Sequence, residues 1–180
     1  MRKMFANLAA LTLVVLNCPV LAFEPNVNDS MELDVQRAII NIKKADPGIE
    51  TFFNNAAGYA VFPSVGKGGI VIGGAYGKGL VIVDEIVDGY TSLSQATIGL
   101  QLGGQKYAQF IFFRDDTAIG HFRRGNFEFG AQASAVAITA GASADAAYDS
   151  GVAVFTHAGG GLMFEASIGG QRFKYTPKEN

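Results

Sequence analysis

GKGGIVIGGAYGKGL, residues 66–80, is the stretch on which the fold assignment depends, because glycines beside lysines can also form a phosphate-binding loop. A P-loop requires a glycine, four residues and then Gly-Lys followed by Ser or Thr. Counting back from Gly77-Lys78 puts Ile72 at the first position, and Gly79 stands where the hydroxyl is required. The chain continues as LVIV, which is typical of a strand and not of the helix that follows a nucleotide-binding turn. We therefore predict that these glycines serve strands and turns.

Short apolar or alternating segments continue on the C-terminal side of this stretch, and they indicate strands. Asp88-Gly89 and Gly103-Gly104 stand where two-residue hairpin turns are expected. The pattern gives roughly eight strands, and their short connections favour antiparallel neighbours. We predict an α+β fold with about three helices and a strongly twisted, mostly antiparallel sheet, either open or barrel-like.

Helix signals occur at three places. Asp29 and Glu32 form a capping box ahead of an amphipathic stretch that ends before Pro47-Gly48. A second, short helix is expected from Ile49 to Ala56. A third is expected from 115 to 124, with acidic residues at its start and two arginines at its end. These helices are expected to cover the sheet.

The N-terminal stretch has the order of a secretory signal peptide: Arg2 and Lys3, an apolar run to about Leu16, then Pro19 and Val20-Leu21-Ala22. We expect export to the periplasm or cell envelope with cleavage after Ala22. Acylation on Cys18, as in a bacterial lipoprotein, is the alternative. The leader carries two of the 14 basic residues, so 12 would remain against 16 acidic ones, a net charge of −4. That balance argues against nucleic acid, and any binding of anions must come from a local cluster.

Several motifs in order resemble the SYLF domain family. They are AAGYAVFPSVGKGGIVIGGAYGKGLVIV from Ala56, GLQLGGQKYAQFIFF, GNFEFGAQASAVA and AGGGLMFEASIGG. The resemblance covers about Leu33 to Pro177. We divide the chain accordingly into a signal peptide (1–22), a lead (23–30), one SYLF-like domain (31–177) and a tail (178–180).

This resemblance implies a lipid-binding function. Eukaryotic SYLF proteins bind membrane phosphoinositides, and a yeast member bundles actin. Secreted bacterial members resemble lipid-binding modules. An exported protein would not meet actin, so a phospholipid headgroup or membrane surface is the expected partner. The alternative is a structural or assembly protein of the envelope that forms homo-oligomers through strand edges, for which residues 69–73 and 135–138 are apolar candidates.

No catalytic constellation is apparent in the sequence. His121 and His157 are the two histidines, and neither a G-x-S-x-G nor an H-E-x-x-H motif accompanies them. We therefore predict a protein without enzymatic activity, metal or cofactor.

Basic residues near exposed backbone amides can form a binding site for a lipid phosphate. The candidate phosphate-binding residues are Lys67, Lys78, Lys106, Arg123 and Arg124. The residues expected to support them in the glycine-rich hairpin are Gly68, Gly69, Gly73, Gly74, Tyr76 and Gly77.

Overall fold

The computed structural model describes residues 23–69, 72–98, 105–125, 127–130, 133–158 and 166–179. The helices are α1 (Ser30–Ala45), a 3-10 turn (Pro47–Ile49), α2 (Glu50–Asn55) and α3 (Asp116–Arg123). The strands are β1 (Gly58–Gly69), β2 (Ile72–Val83), β3 (Ile86–Ile98), β4 (Gln105–Phe113), β5 (Ser134–Ala137), β6 (Val152–His157), β7 (Ala166–Ser167) and β8 (Arg172–Pro177). The predicted α+β class is confirmed. The predicted signal peptide, Cys18 and the Gly103-Gly104 turn lie outside the described residues.

The strands form one sheet in the order β7-β5-β6-β4-β1-β2-β3-β8. Neighbours are antiparallel except β5 and β6, which are parallel. Within the described segments the ladder ends at β7 and β8, so the sheet is open and not a barrel. The free side of β8 is partly occupied, because the N–H of Phe173 donates to the carbonyl of Phe127 and the N–H of Phe129 donates to that of Gln171. This backbone pairing shields an edge that would otherwise be exposed.

A bulge at Pro63 interrupts the central strand β1. Between the pairs Val61–Leu80 and Ser64–Lys78, two residues of β1, Phe62 and Pro63, oppose the single Gly79 of β2, and the register with β4 shifts at the same place. Proline has no N–H to donate to a neighbour, so within a central strand it fits only where the ladder is already broken. The bulge brings the carbonyl of Val61 close to Gly79 of β2. A Cβ on Gly79 would lie 2.2 Å from that oxygen.

The turn between β2 and β3 differs from the prediction. It is formed by Asp84 and Glu85, whose φ angles are 50° and 61°, as in the primed turns that join antiparallel strands. The predicted Asp88-Gly89 turn is wrong: both residues lie inside β3, and Asp88 is the extra residue where Val87 and Gly89 pair with Ile82 and Val81. Asp88 is held at this position by hydrogen bonds from Arg123 and Tyr175 to its carboxylate.

Each face of the sheet buries its own hydrophobic core. On the helical face, defined here as the one covered by α1 and α2, Val35, Ile42 and Phe52 belong to the same core as Phe112 and Phe155 of the sheet. On the opposite face, α3 contributes Ile119 and Phe122 to a core with Phe113 and Phe173. The helices therefore cover the half of the sheet nearest the Asp84-Glu85 turn, and no described helix covers the helical face beyond the Pro63 bulge.

The helix caps follow the predicted signals. Asp29 accepts hydrogen bonds from the N–H groups of Met31 and Glu32, and Asp115 accepts one from Ala118. The carboxylate of Glu32 is buried and accepts from the N–H of Asn26 at 2.7 Å, three residues before the predicted cap. The three predicted helices are confirmed, and Glu32 fastens the segment that leads into α1.

Candidate functional site

Basic and aromatic side chains gather on the open part of the helical face. Strand register aligns Lys106, Gly66 and Tyr76 in one row across β4, β1 and β2. The next row joins Lys78 of β2 through β3 to Lys174 of β8. Because side chains alternate between the two faces of a strand, these residues point to the same side as Leu80, which lies in the core under α1.

We call this surface the basic face and define it by Lys78, Lys106, Lys174, Tyr76 and Tyr90. All five side chains are exposed, with Tyr76 at 55% and Tyr90 at 40%. The surface between them is unobstructed, because a Cβ added to Gly66 or Gly68 would meet no atom within 4 Å. Ser92 and Ser94 of β3 lie on the same side and add hydroxyl groups. The basic face thus presents ammonium, hydroxyl and aromatic groups on one side of the sheet.

The three lysines of the basic face lack acidic partners within the described part of the chain. Ion pairs engage six other described basic residues. These residues are Arg37, Lys43, Arg114, Arg123, Arg172 and Lys178. No ion pair within the described fold therefore neutralises these three lysines, although the whole sequence is acidic. Such a local excess attracts anions irrespective of net charge.

The structure brings Lys78, Lys106 and Tyr76 together and separates the other predicted residues from them. Lys67 pairs with Ala75 and Gln105, and alternation from the buried Val65 places it on the opposite face. Arg124 caps α3, which covers that opposite face, and it is exposed.

Arg123 is engaged by Asp88. Its Nε and Nη2 donate to the two carboxylate oxygens at 2.9 and 2.5 Å, and the carboxylate also accepts from the hydroxyl of Tyr175 at 2.7 Å. This pairing with Asp88 raises the pKa of Arg123. The guanidinium thus holds the β3 bulge against α3 and is not available to a phosphate.

The predicted supporting glycines serve two different purposes. Gly68 lies on the open face, whereas Gly77 and Gly74 are confined: an added Cβ would lie 2.9 Å from Val65 at Gly77 and 3.0 Å from the Gln95 carbonyl at Gly74. Gly69 has a φ of 149° and pairs with Gly73 at the end of the β1–β2 hairpin. Only part of the glycine-rich stretch therefore shapes the candidate surface, and the rest permits close strand packing.

Lys174 and Tyr90 belong to the basic face but were not among the sequence candidates. Each lies at alternate spacing in a strand, Lys174 within RFKYTP and Tyr90 two residues before Ser92. Alternation assigns a residue to a face, but the pairing of β8 with β3 is needed to place Lys174 beside Lys78. That pairing spans about 80 residues of sequence and has no local signal.

The described residues offer no constellation for catalysis or metal binding. No group of three His, Cys, Asp or Glu side chains with metal-ligand geometry occurs among them. His121 is exposed on α3, and His157 lies at the end of β6. Burial raises the pKa of Tyr107 to about 12, which leaves the phenol protonated at neutral pH. Absence of enzymatic activity stays a prediction.

Two surface properties bear on membranes and assembly. None of the described helices has the length and apolar composition needed to span a bilayer. Of the two predicted association segments, 69–73 is only partly described, whereas 135–138 is flanked by β6 and β7, and Ala135 and Ile138 are buried.

Comparison with known proteins supports the resemblance to the SYLF family in the C-terminal part of the chain. Residues 94–180 match the family model Ysc84, described as Las17-binding protein actin regulator. Beta cell expansion factor A of Aeromonas veronii is 29% identical to this chain over 138 residues, which make up 76% of this chain and 52% of that protein. The chain thus spans about half the length of that relative. Residues 94–180, which contain three of the four motifs noted above, thus match the SYLF (Ysc84) family.

Proposed function

We propose that this protein is a non-catalytic module that binds anionic phospholipid surfaces through its basic face. The observation that carries the proposal is that Lys78, Lys106 and Lys174 share one exposed face of the sheet, without acidic partners among the described residues. The match of residues 94–180 to the SYLF family supports a membrane-binding role. The assignment of that role to this surface is our inference.

The chemistry of the surface suits a phospholipid bilayer. An ammonium group near an anionic leaflet contributes about 1 kcal/mol of attraction, so three of them give a useful but reversible affinity. Tyr76 and Tyr90 carry an apolar ring and a polar hydroxyl, the combination that is favoured where headgroups meet acyl chains. Attraction of this kind weakens as salt increases.

The distribution of charge would also orient the molecule. The Asp84-Glu85 turn lies at the opposite end of the β2–β3 hairpin from Tyr76, and its two carboxylates place negative charge at that end. An anionic surface would repel that end and attract the basic face. A protein of net negative charge can therefore dock in a single orientation.

We also propose that the protein acts outside the cytoplasm. The signal-peptide pattern of residues 1–22 supports export to the periplasm or envelope. The family is named for an actin regulator, and an exported protein would not meet actin. Fractionation of cells, together with determination of the N-terminal residue, tests this: a mature N-terminus at Phe23 supports it, and a protein confined to the cytoplasm would overturn it.

Vesicle co-sedimentation tests the site. We expect binding to vesicles of phosphatidylglycerol but not of phosphatidylcholine, and weaker binding at higher salt. Replacement of Lys78, Lys106 and Lys174 by Gln should lower the affinity roughly 100-fold, at about 1 kcal/mol for each charge.

A matched control separates this surface from bulk charge. The described residues include three further basic side chains without ion pairs, Lys44, Lys67 and Arg124, which lie outside the basic face. Their triple replacement by Gln changes net charge equally and should reduce binding only slightly. Equal losses in the two triple variants would refute the assignment of the basic face. Absence of vesicle binding by the unmodified protein, with a concentration-dependent increase in mass by sedimentation, would favour the assembly role.

A further inference from the structure

A cleft of about 430 Å³ lies where the basic face meets α1. One wall is formed by Asp34, Arg37 and Asn41, which are three and four residues apart and share one side of the helix. Lys106 at the start of β4 and His157 at the end of β6 form the other wall. The polar groups of three separate elements thus face one space.

The floor of the cleft is the β1 bulge. Pro63 and Ser64 line it beside Ala108, which opposes the bulge on β4 and pairs with His157 on β6. The interruption of the ladder here leaves a depression between strands that are otherwise continuous.

We propose that this cleft binds a phosphate monoester. Such a group carries a charge of about −1.5 to −2 at neutral pH and three terminal oxygens, and it is best held by donors that approach from several sides. Arg37 on one wall and Lys106 on the other meet that requirement, and Asn41 adds an amide. A phosphodiester offers two terminal oxygens and one charge, so it gains less from opposed cations.

Two local features leave these groups available to a ligand. Arg37 donates to Asp34 at 2.6 Å, but their side chains are 69% and 54% exposed, and an exposed pair of this kind is easily exchanged. Nδ1 of His157 is buried and has no hydrogen-bond partner among the described residues. Rotation of the imidazole ring would expose this nitrogen to the cleft, where its N–H group would donate a hydrogen bond to a ligand.

Asp34 gives the proposal a distinctive signature. Its carboxylate lies in the same cleft and would compete with a phosphate for Arg37. Removal of this carboxylate should therefore strengthen phosphate binding, whereas removal of Arg37 should weaken it. A purely structural role for the pair would predict neither change.

The first experiment uses glycerol 3-phosphate as the probe and amide chemical shifts as the readout. We expect saturable shifts centred on Arg37, Lys106 and His157, with much smaller shifts for dimethyl phosphate. Arg37→Ala should lower the affinity for glycerol 3-phosphate at least about fivefold, because a charge-assisted hydrogen bond is lost. Asp34→Asn should raise that affinity about threefold. Arg114→Ala is the matched control, since Arg114 forms a similar exposed pair with Asp115 far from the cleft. Equal effects of Arg37→Ala and Arg114→Ala, or an absence of saturable shifts at the cleft, would overturn the proposal.

The second experiment distinguishes the source of the monoester, and only this part rests on the proposed function. Vesicles that contain phosphatidic acid, a monoester lipid, are compared with vesicles of equal charge that contain phosphatidylglycerol, a diester. If the ligand is a headgroup, Arg37→Ala abolishes the preference for phosphatidic acid and retains binding to phosphatidylglycerol, while Lys78→Gln weakens both. If glycerol 3-phosphate binds without any preference among vesicles, the cleft holds a soluble monoester. Phosphate monoester binding by the cleft is therefore tested separately from membrane binding by the basic face.

Discussion

Gly79 provides the sharpest test of the fold. A Cβ at this position would lie 2.2 Å from the carbonyl oxygen of Val61, 2.9 Å from its carbonyl carbon and 3.0 Å from Cδ1 of Phe62. Two of these three atoms belong to the backbone of the central strand, so no side-chain rotation relieves the contact. Since non-bonded carbon contacts lie near 3.5–4.0 Å, the two strands would have to separate by roughly 1 Å.

The expected cost of Gly79→Ala follows from that displacement. Overpacking in a rigid core costs about 1–3 kcal/mol, and a weakened ladder hydrogen bond adds about 0.5–1.5 kcal/mol. Val61, Phe62 and Leu80 are fully buried around this point, which leaves little room for relaxation. We therefore expect the free energy of unfolding to fall by about 2–4 kcal/mol, and the melting temperature by roughly 6–12 °C.

Gly66→Ala is the matched control, because Gly66 is in the same hairpin and a Cβ there would meet nothing within 4 Å. Alanine is favoured over glycine in a strand by about 0.5–1 kcal/mol, so this variant should be slightly more stable than the unmodified protein. The chain has no tryptophan, and urea unfolding is best followed by far-UV circular dichroism. Stabilities of Gly79→Ala and Gly66→Ala within about 0.5 kcal/mol of each other would refute the close approach at the bulge.

Two further predictions concern buried polar contacts. Burial alone would raise the pKa of Asp46, but hydrogen bonds from the N–H groups of Ser143 and Gly48 outweigh it and lower the pKa. The ionised carboxylate of Asp46 therefore stabilises the fold at pH values above its ordinary pKa, and this contribution is lost as pH falls. Asp46→Asn should lower the free energy of unfolding by about 1–2 kcal/mol at pH 7. In urea titrations the difference in stability between the variant and the unmodified protein should narrow below about pH 4. Tyr175→Phe removes the hydroxyl that donates to Asp88 and should cost about 0.5–1.5 kcal/mol, whereas the exposed Tyr76→Phe should cost almost nothing; equal melting temperatures of the two variants would contradict the Asp88 network.

The helices were predictable because their signals are local. Asp29 and Asp115 cap helices in the structure as the sequence indicated, since a cap depends on residues within one turn. The β2–β3 turn was not predictable in this way. Asp88-Gly89 has the stronger turn signal, but a Cβ on Gly89 would lie 2.5 Å from the carbonyl of Thr176, so that glycine is needed for the approach of β8. The packing of β8, which is distant in sequence, thus explains why a glycine occupies position 89 without forming a turn.

The candidate site was predictable only in part for a similar reason. Tyr76 and Lys78 are two residues apart in a strand and necessarily share a face. Lys106 joins them through the β1–β4 register, and Lys174 through the β3–β8 register, and each pairing depends on contacts remote in sequence.

The position of Lys67 shows how one residue changes the chemistry of a surface. Tyr59 and Val61 of β1 point toward the helical face, and strict alternation would place Val65 and Lys67 on that face as well. The extra residue at Pro63 reverses the alternation, so Val65 joins the core on the opposite face and Lys67 follows it. The same reversal turns Ser64 and Gly66 toward the helical face, where Ser64 lines the floor of the cleft and Gly66 forms open surface next to Tyr76. A proline that breaks the central ladder therefore determines which lysines can act together and creates the depression between them and α1.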